Sequence, residues 1–139
     1  MKEQSVDEIQ NLIIEDFSFF DTWDEKYAYI IDMGKQLVPI SAEHKTDINK
    51  VKGCQSQVWL HAYKKNEKVF FEADSDAIIV KGLIALLLQV YSNQSPNDIM
   101  KAEPYFINNI GMHQHLSPTR SNGLAAMIKQ IKFYALALQ

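Results

Sequence analysis

The sequence predicts an α+β fold: a small antiparallel sheet of about three strands packed against helices, as one domain over residues 1–139. Three observations predict it. Apolar residues recur at steps of three and four near both ends of the chain, which is the helical period. From Val58 onward the period switches to two, as in a half-buried strand. The stretch from Ile78 to Tyr91 is apolar nearly all round, which marks a helix at the centre of a core. A chain of 139 residues has ordinary domain length, and 47% hydrophobic with 22% charged residues is an ordinary globular balance.

Ser5-Val6-Asp7-Glu8 has the capping-box form, in which a hydroxyl and a carboxylate each satisfy a free backbone N–H. Val6, Ile9, Ile13, Phe17 and Phe20 then supply the buried stripe of a first helix. Thr22-Trp23-Asp24-Glu25 repeats the device, and a second helix follows with Trp23, Tyr27, Ile30 and Ile31 inward, ending near Gly34. Pro39 and the polar residues 41–50 predict an irregular connection. Residues 49–52 add a short third strand. Val58, Leu60 and Ala62 face one side of the next strand, and Trp59, His61 and Tyr63 the other. Lys64-Lys65-Asn66-Glu67 is a turn, and residues 69–73 return antiparallel. Asp74, Ser75 and Asp76 offer oxygens to cap the central helix. A short helical piece covers residues 105–110. Ser117 and Pro118 open the last helix, whose stripe is Leu124, Met127, Ile128, Ile131, Tyr134 and Leu138.

The net charge of −3, without a basic cluster, argues against nucleic-acid binding and against a polybasic membrane anchor. Residues 78–91, interrupted by Lys81, Gly82 and Gln89, fall short of the roughly 20 apolar residues that span a bilayer. The first five residues lead into an amphipathic helix rather than an apolar signal region. A single cysteine and no export signal predict a reducing, cytoplasmic compartment.

That cysteine, Cys54, follows Gly53 and precedes Gln55 and Ser56, just ahead of the first strand. One thiol cannot form an internal disulfide, a Cys-x-x-Cys redox pair or a multi-cysteine metal site. Gly53 allows turn geometry that a Cβ would obstruct, so the thiol is expected on a loop joining two strands. Lys52 lies two residues away, where its charge would favour the thiolate. The residues alone leave two readings open, a reactive sulfur and a buried structural thiol. His61, His113 and His115 have no carboxylate or thiol cluster beside them in the sequence, so no metal site is expected. His44 is expected in solvent. Lys35, Lys45 and Lys81 read as solvated or docking charges, and Trp59 with Phe70 and Phe71 as hairpin packing.

The heptapeptide Gly53-Cys54-Gln55-Ser56-Gln57-Val58-Trp59 resembles the active-cysteine signature of the SufE family of Fe–S biogenesis proteins, which includes the CsdE branch. Three further blocks match in order: Gly34-Lys35 with Pro39, residues 74–83 from Asp74-Ser75-Asp76 to Lys81-Gly82-Leu83, and residues 116–124 from Leu116-Ser117-Pro118-Thr119-Arg120 to Gly123-Leu124. The resemblance implies a SufE/IscU-like fold with Cys54 at a loop tip. It implies a persulfide carrier that takes sulfur from a PLP-dependent cysteine desulfurase of the SufS or CsdA kind, stimulates that enzyme, and passes sulfur to a SufBCD-like Fe–S scaffold. The PLP belongs to the desulfurase, so no cofactor is expected here. Gly53, Gln55, Ser56 and Arg120 are the implied supporting or docking residues; Arg120 would steady a thiolate or persulfide anion, meet a partner carboxylate, or tie the last helix to the sheet.

Two rival functions belong to other classes. A regulatory module would activate a desulfurase by docking alone. A cysteine hydrolase would need a histidine base, yet His61 would lie roughly 20 Å along the strand at ~3.3 Å per residue.

Overall fold

The computed structural model describes residues 4–139 apart from the side chain of His113. The expectations for Met1, Lys2, Glu3 and the His113 side chain fall outside the described residues. Helix α1 (Val6–Phe17) begins with the full capping box: Glu8 N–H donates to Ser5 Oγ at 3.1 Å, and Ser5 N–H to Glu8 Oε1 at 3.3 Å. Helix α2 (Trp23–Lys35) repeats it with Thr22 and Glu25, both bonds at 3.2 Å. Phe20 lies beyond the end of α1, in the turn that follows. It still packs inward, its ring 6.0 Å from Phe17 and 5.1 Å from Tyr29.

The sheet has two strands, β1 (Val58–Lys65) and β2 (Lys68–Ser75), with Val58 opposite Ser75 and Lys65 opposite Lys68. The expected third strand is reduced to a bridge between Lys50 and Trp59, with Val51 N–H donating to Val58 O at 2.8 Å. A 3₁₀ turn at Asp47–Asn49 on one side and the turn at Gly53 on the other leave no length for a ladder. A second bridge joins Pro39 to Ala73, and a third joins Gln94 to Val69. The sheet edges are thereby covered by short segments. Val58, Leu60, Ala62, Val69, Phe71 and Ala73 face inward and are buried, as the period-two pattern requires.

Helix α3 (Ile78–Tyr91) runs through the centre, with residues 82–88 buried without interruption. Its N-cap is Ala77, without a side-chain cap. The expected cap oxygens serve elsewhere because β2 continues as far as Ser75. Ser75 Oγ accepts Ala77 N–H at 3.2 Å, and Asp76 Oδ1 accepts Gln57 N–H at 3.0 Å. Asp74 binds two lysines, described below. Helices α2 and α3 cross with their backbones in near contact at Gly34 and Gly82, where a Cβ on Gly34 would meet Gly82 N at 2.8 Å.

Helix α4 (Pro96–Lys101) was not expected, although Ser95 caps it and Pro96 opens it. Short helices α5 (Phe106–Asn109) and α6 (Met112–His115) follow, the first within the helical piece expected at 105–110. Helix α7 (Pro118–Ala137) starts at Ser117 and Pro118 as predicted and buries Leu124, Met127 and Ile131. Gln10, fully buried on α1, donates to Glu103 O at 3.1 Å and accepts Phe106 N–H at 3.1 Å, tying α5 to the core.

Candidate functional site

Gly53 has φ +93°, a conformation that a side chain strongly disfavours, and a Cβ there would lie 3.4 Å from the Ala126 methyl. The glycine turns the chain sharply against α7 and so delivers Cys54 to the first turns of that helix. The loop connects the Lys50 bridge, rather than a third strand, to β1. Cys54 is half-buried. Its thiol donates to Gly123 O at 3.6 Å, and a Cβ at Gly123 would lie 3.5 Å from Sγ. Gly123 thus leaves the sulfur open on that side, where a methyl group would touch it at ordinary contact distance.

A cleft of about 400 Å³ opens beside the thiol. Cys54, Gln55 and Ser56 form one wall, Val80 and Leu83 of α3 the apolar floor, and Ser117, Thr119, Arg120, Gly123 and Met127 of α7 the other wall. All the residues implied by the resemblance except Gly53 line it. Gly53 instead sets the loop conformation. Burial pushes the Cys54 thiol above its ordinary pKa, and among the described residues no neighbouring charge brings it back down. Lys52 is exposed on the same loop.

Arg120 is exposed, and its backbone N–H donates to the Ser117 cap at 3.2 Å. Among the described residues its guanidinium makes no ion pair, so it does not tie α7 to the sheet. It stands on the rim of the cleft as an available cation. Three lysines are instead partnered: Lys35 with Asp32 at 3.5 Å, Lys45 with Asp74 at 2.9 Å, and Lys81 with Asp74 at 3.3 Å. Partial burial of Asp74 works to raise its pKa, but hydrogen bonds from Lys45, the Ser75 N–H and Lys81 outweigh it and hold the carboxyl below its usual range. Lys45 also lies over the Trp59 ring at 4.6 Å.

No histidine is among the described residues of the cleft. His115 stacks on Trp23 at 4.0 Å, and His61 points to the outer face of the hairpin. There it meets residues that sequence reasoning did not bring together. Glu72 is directly across the ladder from His61, with Oε1 3.3 Å from His61 Nδ1. His44, expected in solvent, stacks on His61 at 3.6 Å with its own Nδ1 3.1 Å from the same oxygen. The pairing of His61 with Glu72 follows from the hairpin register once the turn is set at residues 66–67. The arrival of His44 had no sequence signal.

The cleft residues missed by sequence reasoning are Val80, Leu83 and Met127, read only as core, Ser117, read only as a helix cap, and Thr119 and Gly123, which carry no reading of their own inside a matched block. Gly123 is the more consequential, because its carbonyl is the partner of the thiol.

Comparison with known proteins gives concordant results. The family model for the SufE Fe–S metabolism associated domain matches residues 11–135. An uncharacterized SufE-like protein of Rhizobium etli is 43% identical over 125 residues, covering 86% of this chain and 84% of that protein. A second uncharacterized SufE-like protein, from Rhizobium meliloti, is 43% identical over 125 residues, covering 86% of this chain and 89% of that protein. The solution structure of a hypothetical protein from Thermus thermophilus superposes with a TM-score of 0.78 at 19% identity, over 93% of this chain and 94% of that one, which shows a shared fold. The matched model spans most of the chain and the relatives align over the same region, so the chain belongs to the SufE family, whose domain is associated with Fe–S metabolism.

Proposed function

We propose that this protein is a sulfur carrier that accepts persulfide sulfur from a PLP-dependent cysteine desulfurase onto Cys54, stimulates that enzyme, and hands the sulfur to an Fe–S scaffold in the cytoplasm. The observation that carries the reading is the placement of the chain's one thiol at the mouth of a cleft with an apolar floor and a polar rim.

In the transfer, the Cys54 thiolate attacks the outer sulfur of the desulfurase persulfide. A sulfur–sulfur bond forms to Cys54 and the donor's own sulfur–sulfur bond breaks, releasing the donor thiolate. One persulfide and one thiol become one thiol and one persulfide, without net oxidation, and the proton lost by Cys54 balances the one taken by the donor. The raised thiol pKa keeps Cys54 protonated at rest and slows adventitious attack. Docking that loosens the contact with Gly123 O would restore the thiolate. A persulfide anion in the cleft would face the Arg120 guanidinium and the first turn of α7, both electropositive. Gln55 and Ser56 offer it hydrogen bonds. PLP stays with the desulfurase, and no residue of the cleft is assigned to a cofactor.

The test is the intact mass of the protein after incubation with its organism's desulfurase and L-cysteine without reductant. The expected result is a gain of one or more sulfur atoms, reversed by reductant and absent in Cys54→Ala. Raised desulfurase turnover that survives Cys54→Ala, with no mass gain, would replace this reading with activation by docking alone.

A further inference from the structure

The outer face of the hairpin carries a second constellation, remote in composition from the cleft. One ligand atom each from His44, His61 and Glu72 lies within 4.8 Å of the other two. Both Nδ1 atoms converge on Glu72 Oε1, at 3.1 Å and 3.3 Å. Tetrahedral zinc bound at roughly 2.0–2.2 Å to nitrogen and carboxylate oxygen separates its ligands by roughly 3.4 Å. The two nitrogen-to-oxygen spacings are already close to that.

A hydrogen-bonded cluster does not account for the arrangement. His44 Nδ1 has a partner in Ser41 Oγ at 2.8 Å as well as in Glu72. His61 Nδ1 is fully shielded from solvent and closes no hydrogen bond, although Glu72 Oε1 is 3.3 Å away. A sheltered nitrogen with no partner costs about 1–3 kcal/mol, a cost that a bound cation would remove. The support is also rigid. His61 and Glu72 face each other on the ladder, and His44 O accepts from Asn49 Nδ2 at 2.7 Å. Asn49 Oδ1 in turn accepts from Tyr134 OH at 2.8 Å. With side chains 35%, 21% and 16% exposed for His44, His61 and Glu72, the group is sheltered but reachable from water.

We propose that His44, His61 and Glu72 bind one divalent transition-metal ion of the zinc class, with the fourth position open to water. The two rings stack with an interplanar angle of 10°, so their lone pairs do not yet meet at one point. Binding turns both rings about their side-chain torsions and opens the stack. The ion then pins the connection through residues 41–49 to the hairpin. Neither imidazole nor Glu72 lines the cleft, so this site is independent of the thiol.

The experiment is a calorimetric titration of Zn²⁺ into chelator-stripped protein. The wild type and Cys54→Ser are expected to bind one ion per chain with equal affinity. His44→Ala and Glu72→Gln, each in the Cys54→Ser background, are expected to weaken binding at least about 10-fold, since loss of even an outer-shell partner has that effect. Loss of the ion in Cys54→Ser, or unchanged affinity in His44→Ala and Glu72→Gln, overturns the proposal. If those variants fail to fold, Co²⁺ loaded into Cys54→Ser decides. Visible absorption of tetrahedral strength at one equivalent supports the site, and a weak octahedral spectrum overturns it.

Discussion

Burial pushes the Cys54 thiol above its ordinary pKa, and that has a consequence measurable at one residue. The alkylation rate by iodoacetamide follows the thiolate population. In the native protein its midpoint should lie above the ordinary cysteine value of roughly 8.5, and it should fall back to that value in denaturant. Because the folded pKa is the higher one, the stability contribution is complete below the unfolded pKa and is lost as pH rises through the folded pKa. Unfolding titrations between neutral and alkaline pH should therefore show a decline that is shallower in Cys54→Ser. A native midpoint at or below the denatured one would remove the desolvation account. Much of this site was legible from residues alone: a lone thiol after a glycine is a local signal, and the glycine does take φ +93°. The shelter was not legible, because the carbonyl that receives the thiol is 69 residues further along the chain.

At the level of elements, whatever rested on local chemistry could be read and whatever rested on pairing at a distance could not. The capping boxes at Ser5 and Thr22 and the Ser117-Pro118 start all specify a helix within four residues, and all three helices begin there. Ser95-Pro96 carries the same local signal, and α4 starts there. The third strand failed for the opposite reason. Val51 within residues 49–52 does pair with Val58, but the Gly53 turn ends the pairing after a single bridge. The hairpin turn itself makes a prediction. Asn66 and Glu67 have φ +52° and +66°, the two-residue geometry in which the second position strongly favours glycine. Left-handed backbone costs a side-chain-bearing residue about 1–2 kcal/mol, partly offset by the entropy glycine loses on folding. Glu67→Gly should therefore stabilise the protein by roughly 0.5–1 kcal/mol in urea unfolding. The Lys64–Glu67 pair it removes is exposed at 3.8 Å and should not alter the sign. A loss of stability would mean that the turn geometry is different.

Across the whole molecule, the cleft exists because α3 is held at a fixed depth: its Val80 and Leu83 form the floor while the Cys54 loop and α7 carry the walls. That depth is set on the far side of α3, where α2 crosses it at Gly34 and Gly82. A Cβ on Gly82 would lie 2.6 Å from Ile30 Cγ2 and 2.7 Å from the Ile30 carbonyl carbon, distances that backbone cannot relieve without moving the helices apart. Two matched sequence blocks, Gly34-Lys35 and Lys81-Gly82, thus meet as one packing contact, which no reading of either block by itself could reveal. Gly82→Ala should gain about 1 kcal/mol from helix propensity, yet overpacking at this depth should outweigh it and destabilise by roughly 2 kcal/mol or more. Gly123→Ala supplies the comparison, since it is also a glycine inside a helix but would place its methyl 3.5 Å from Cys54 Sγ, an ordinary contact. That variant should hold or raise stability by up to about 1 kcal/mol while slowing alkylation of the thiol, because the added methyl excludes water from the sulfur. Gly82→Ala should act the other way, with lower stability and faster alkylation as the displaced α3 loosens the floor of the cleft. If instead both variants gain stability equally in denaturant unfolding, the helix crossing does not set the depth of α3. The coupling between scaffold and thiol would then have to be sought in α7 alone.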